Sequence, residues 1–238
     1  MMGENVSVAA ASRSATDRIP LTYVVTLVPV AAALNIVGGT INESLKLPTF
    51  LDMIGTAVAA IVLGPWWGAL VGVITNLGGS LITGPINIPF ALVNVAGALV
   101  WGYGIRSWGM GSSLPTFFLL NVLVALVVAA VASPIVVFLF AGATGHSSDA
   151  ITAAFAQAGQ DLLTSVFASN VIVSLADKII AGFVALSIIA ALPAELTLGL
   201  RLPAATGMRG VLVAAAGVVI GVALVLVFLL ITPPGAAS

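Results

Sequence analysis

Asp177 and Lys178 stand side by side, the only charged residues in a largely apolar run from Leu162 to Leu192. If that run lies in lipid, each ionised side chain near its middle costs at least about 2.5 kcal/mol, so their presence implies a use. Neighbours on a helix point about 100° apart, which predicts that each finds its own partner on another helix or in a wet cavity. Asn170, Ser174 and Asp177 follow at spacings of four and three, forming one polar stripe toward the interior of a bundle. Two chemistries fit this pattern: a buried ionic latch between helices, or recognition of a small solute by Asn170 and Ser174.

Other polar residues fall in comparable places. Asp52, between Leu51 and Met53, joins Asp177 and Lys178 as a candidate for ion pairing within the membrane; near Pro48-Thr49 it is expected to serve the first turn of a helix. Gly64, Gly68, Gly72, Asn76 and Ser80 recur every four residues, a ridge of small side chains that lets helices approach closely in lipid. Asn76, near its outer end, needs a partner that is either a neighbouring helix or a substrate. Asn42, Glu43 and Lys46, together with Asn87 and Asn94, complete a set expected to converge with Asn76, Asn170 and Ser174 on one membrane face as a substrate pocket. Phe50 and Phe90 are the only aromatics expected there, which favours a small or polar solute over a flavin-sized ring.

Composition decides what must position these groups. Of 238 residues, 61% are hydrophobic and 6% charged, so the expected solvent is lipid and the fold class is all-α, a polytopic membrane bundle. Near-zero net charge gives no reason to expect nucleic acid. The chain has no cysteine and a single histidine, His146, so no metal centre, cofactor or catalytic set is expected and the protein is read as not an enzyme. No GxxxxGK[ST] loop is present, so any ATP-driven step needs partners.

Punctuation by Gly, Pro and charge predicts about seven transmembrane spans: Leu21–Val37, Leu47–Leu63, Trp66–Ile82, Ile88–Ile105, Phe117–Ala141, Leu162–Leu192 and Val211–Ile231. Gly38–Lys46, Thr83–Asn87 and Gly142–Asp161 are expected as outer loops, with Gly64-Pro65 as a tight hairpin on the other side. Arg13, Arg18, Arg106, Arg201 and Arg209 then share one side against Lys46 on the other, placing the N-terminus in the cytoplasm of a multi-pass plasma-membrane protein. All four tryptophans are expected near the cytoplasmic interface. Residues 1–19 read as a retained cytoplasmic tail, 20–205 as the substrate-binding domain, and 206–238 as an additional transmembrane helix. The outer half of the long sixth span is expected to tilt or to line a cavity.

The run from Leu47-Pro48-Thr49-Phe50-Leu51-Asp52-Met53-Ile54-Gly55-Thr56 through Leu63-Gly64-Pro65-Trp66-Trp67-Gly68 to Asn76-Leu77, with Asp177-Lys178-Ile179-Ile180 further on, resembles the substrate-binding S components of energy-coupling factor (ECF) transporters. Together these patches cover most of residues 21–193. The resemblance implies a six-helix S-component fold, here with one extra C-terminal helix, that binds a vitamin or related small nutrient near its outer face. It implies as partners a membrane coupling subunit and a pair of cytoplasmic ATPases, with the loaded subunit reorienting in the bilayer. In such proteins an Ala-xxx-Ala pattern on the first helix docks the coupling subunit; the corresponding residues here are Ala31, Asn35 and Gly39. Gly217-xxx-Gly221 on the last helix is a possible face for another partner or a second copy. A ligand-sensing subunit that signals through a partner, without transport, is the alternative.

Overall fold

The computed structural model describes residues 19–203, 212, 215–217, 219–223 and 226. The tail at 1–18 and most of 206–238 therefore lie outside the described residues. Among the described residues all regular structure is helical. The helices are α1 (Leu21–Leu45), α2 (Ile54–Val62), α3 (Pro65–Thr83), α4 (Ala91–Arg106), α5 (Leu114–Phe140), α6 (Asp149–Gln157) and α7 (Leu162–Ala190). Of these, α1, α5 and α7 are long and apolar enough to cross a membrane on their own. Large apolar side chains turned outward, such as Leu81 at 88% and Phe138 at 79% exposure, suit a lipid solvent.

Local signals account for several boundaries. Ser113 and Thr116 form a capping box at the start of α5, and the Asp161 carboxylate accepts the Thr164 N–H, 3.1 Å away, at the start of α7. Gly64, at φ 117°, turns the chain between α2 and α3 in a region open to glycine, and Pro65 then begins α3.

Three expected elements differ in the structure. The anticipated loop at Gly38–Lys46 is helix as far as Leu45. Gly38 and Gly39 do not break α1; a side chain at Gly38 would collide with the Leu51 carbonyl, so the glycines let another segment cross closely. Thr40 and Ser44 keep their hydroxyls on α1 carbonyls one turn back, at 2.8 and 2.7 Å.

Conversely, the expected span Leu47–Leu63 is helical only over the nine residues of α2. At about 1.5 Å per residue α2 reaches some 13 Å, too short for a hydrocarbon core about 30 Å thick. Residues 46–53 supply the remaining reach as irregular backbone, tolerated at membrane depth only where protein or a wet cavity surrounds it. The expected loop at Gly142–Asp161 also contains a helix, α6.

The short α2 is the centre of the bundle, packed against α1, α3, α4 and α7, with eight of its nine residues buried. The glycine ridge of α3 serves this internal packing: Gly68 lies on Ala60 of α2 and Gly72 on Asn94 of α4. Gly55 of α2 lies against the Ala31 backbone of α1, so the Ala31–Asn35–Gly39 face points inward and is not an open docking face. Gly217 and Gly221 likewise lie on Phe183 and Ile180 of α7, which engages the face expected for another partner within the chain itself. Trp101 also departs from expectation: it is fully buried, its Nε1–H donating to Asn121 Oδ1 at 2.8 Å, whereas Trp66, Trp67 and Trp108 are exposed.

Candidate functional site

A cavity of about 530 Å³ occupies the end of the bundle where α1 and α3 finish and α7 begins. That volume lies within the range of small-molecule sites, roughly 300–1,000 Å³. Its walls come from α1, the irregular segment 46–53, α3, the 86–90 turn, the start of α4, α5, the 144–148 loop, α6 and α7 as far as Lys178. Asn42, Glu43, Lys46, Asn76, Asn87, Asn170 and Ser174 all line it, as do Asp52 and Lys178. Residues dispersed from position 42 to 178 are thus brought to one space, with Glu43 and Lys46 exposed at its rim.

Within the wall, several groups retain bonding capacity. The Asn76 amide donates to the Gly72 carbonyl of its own helix at 2.9 Å, and its Oδ1 accepts no hydrogen bond among the described residues. Asn170 donates to Ser133 Oγ at 3.2 Å. Asn87 donates to Thr83 of α3. Ser80 turns its hydroxyl onto the Leu77 carbonyl and is not part of the wall.

Asn94 does not line the cavity; it lies beneath the floor, almost fully buried. There it belongs to a chain of hydrogen bonds that crosses the bundle. The Asn35 amide of α1 donates to Thr56 Oγ1 at 2.8 Å and Thr75 Oγ1 at 3.0 Å, and its Oδ1 accepts the Gly55 N–H at 2.6 Å. The Thr56 hydroxyl in turn donates to Asn94 Oδ1 at 2.8 Å, and Asn94 Nδ2 donates to Asp52 Oδ2 at 3.4 Å. In lipid every such group needs an internal partner, which explains why four helical segments meet on these amides and hydroxyls.

Next to this chain lie the charges. Lys178 contacts Asp177 directly, its flexible stem bending back over the one-residue step that was expected to keep them apart. Asp177, fully buried, also accepts the backbone N–H groups of Phe50 and Leu51 at 3.0 and 2.8 Å. These two bonds tie the irregular segment to α7 and hold Leu51 at φ 55°, a conformation disfavoured for a non-glycine residue. Asp177 is therefore a latch behind the wall, not part of the cavity lining. Asp52 does not cap a helix: α2 starts at Ile54 with no side-chain cap. Its carboxylate borders the cavity, with Oδ1 3.9 Å from Lys178 Nζ and hydrogen-bonded to nothing among the described residues.

His146 was not expected in the site. Its Nε2 is 2.9 Å from the Thr49 carbonyl, so that nitrogen carries the proton, and Nδ1 accepts the Ser148 N–H at 3.1 Å. The ring stacks on Phe50 with centroids 4.7 Å apart. Burial holds the imidazole pKa below its ordinary value, favouring the neutral ring. A lone histidine in a glycine- and serine-rich loop gives no spacing signal, and Asn35 likewise stands alone in an apolar helix; only the folded chain brings them to the cavity. Phe50 and Phe90 both line it, as expected from their positions. Compared with family models, with curated proteins and with solved structures, the chain has no match in any of the three.

Proposed function

We propose that this protein is the substrate-capturing membrane subunit of an ECF-type, ATP-driven importer for a vitamin or related small nutrient. The observation that carries the reading is the 530 Å³ cavity, which gathers amides, hydroxyls and charges from separated segments at one end of the bundle. A captured solute would exchange its hydration for Asn76, Asn170 and Ser174 while the hydrogen-bonded floor stays dry and fixed. The count of basic residues supports an outward-facing cavity: Lys46 is at the cavity end, while Arg106 and Arg201 lie at the opposite one. The N-terminus is then cytoplasmic and the bilayer is the plasma membrane.

Energy for release is supplied in this reading by a membrane coupling subunit and an ATPase pair, because the chain carries no nucleotide loop of its own. Docking would use a surface other than the inward-turned Ala31–Asn35–Gly39 face. The test is purification of the tagged full chain from its native membrane followed by uptake in proteoliposomes. Copurifying ATPases and ATP-dependent accumulation of the solute released from the purified protein support import. A solute-loaded chain that copurifies with a signalling protein, and never with ATPases, would instead establish the sensing alternative.

A further inference from the structure

We infer that the cavity selects organic cations, a protonated amine or cationic nitrogen heterocycle, held at Asp52; this rests on the cavity being the solute-capture site. Glu43, Asp52 and Asp149 border the cavity and Asp177 lies behind it, four carboxylates against the two ammonium groups of Lys46 and Lys178. Half of that excess lies at the floor, where Asp52 and Asp177 face Lys178 alone. Lys178 is committed to Asp177, which is already served by two backbone N–H groups. Asp52 is left 3.9 Å from that shared ammonium, with one long bond from Asn94 and none at Oδ1.

A carboxylate offers about four acceptor positions, and this one uses a single weak donor. Its side chain is 31% exposed and borders the cavity although Oδ1 itself is covered, so an entering donor meets the carboxylate from its open side. An entering N–H-bearing cation supplies this carboxylate with both an opposite charge and a hydrogen bond. An anionic solute would meet Asp52 with no uncommitted cation at the floor. Lys46, on the exposed rim, is too well hydrated to reverse that preference.

The experiment uses the detergent-purified full chain, with ligand-induced thermal shift and equilibrium dialysis. Probes are the cations thiamine, choline and histamine, the anions biotin, pantothenate and nicotinate, and the neutral compounds riboflavin and nicotinamide. The expected result is stabilisation by at least one cation and by no anion. Asp52→Asn should weaken that binding on the order of a hundredfold, the loss typical of removing one partner from a buried charge pair. It should leave the melting temperature of the unliganded chain unchanged or raised, because it removes the second of two carboxylates that share one ammonium group. A lowered melting temperature with unaltered cation affinity would assign Asp52 to Lys178 as a counterion and overturn the inference. Stabilisation by an anion or a neutral compound alone overturns cation selection while leaving solute capture standing. Silence from all three cations overturns the inference too, and capture is then decided by the copurification and uptake experiment.

Discussion

The two ends of the bundle solve the same problem, backbone polar groups at the margin of an apolar solvent, in opposite ways. At the hairpin end Arg106 donates to the carbonyls of Ile61 and Val62 at 3.2 and 2.6 Å, and Gly102 lets α4 lie directly on Pro65. Backbones touch, and the nearby indentation between α1 and the 192–196 turn is a dent of about 160 Å³ lined largely by apolar side chains. At the cavity end α2 starts late, irregular chain replaces its missing turns, and a buried carboxylate binds the exposed N–H groups. There the side chains stand apart and leave a polar space. Close packing in lipid needs small residues and saturated backbone; a cavity needs backbone saturated from the side, by groups such as Asp177.

The contrast can be broken most severely at Lys178. Lys178→Met leaves Asp177 and Asp52 without their shared cation and is expected to cost about 3–5 kcal/mol, seen as loss of the monodisperse detergent-solubilised protein. At the other end, Arg106→Ala strips the Ile61 and Val62 carbonyls and should cost about 1–3 kcal/mol in thermal melting, with ligand affinity unchanged. Overfilling the packed ridge by Gly68→Val, against Ala60, is expected to fall in a similar range, about 1–3 kcal/mol, again without a change in affinity. Phe50→Ala removes the ring that stacks on His146 and should weaken the wall by about 0.5–1.5 kcal/mol beyond lost area, read in melting with and without solute.

The smallest effect is a pH dependence. With its folded pKa held below the ordinary 6.5, His146 takes up a proton more readily in the unfolded chain. Stability is then fully present above about pH 6.5 and declines as pH falls below it. A series of melting curves should show this slope, and His146→Gln should flatten it.

Much of the helical frame was legible because lipid imposes length and hydrophobicity on any span; α3, α4, α5 and α7 start and end within a few residues of their expected limits. Most of the polar set that lines the cavity was legible for the same reason, since amides and charges are rare in such runs. Asn94 was misplaced because period alone cannot tell the floor of a cavity from the layer beneath it. Asp52 was misread because Pro48-Thr49 looks like a helix start, while the Asp177 carboxylate that holds the segment irregular is 125 positions or more away in the chain.

By itself the sequence determined the solvent, the all-helical class and the roster of polar residues that lipid would force to find partners. Only the tertiary structure decided which partners they took: that Gly38 marks a crossing, that Asn35 and His146 belong to the site, and that Lys178 is shared unequally between two carboxylates. The physical reason is that burial of a polar group fixes the need for a hydrogen bond locally, whereas the group that meets it is chosen by packing among distant segments.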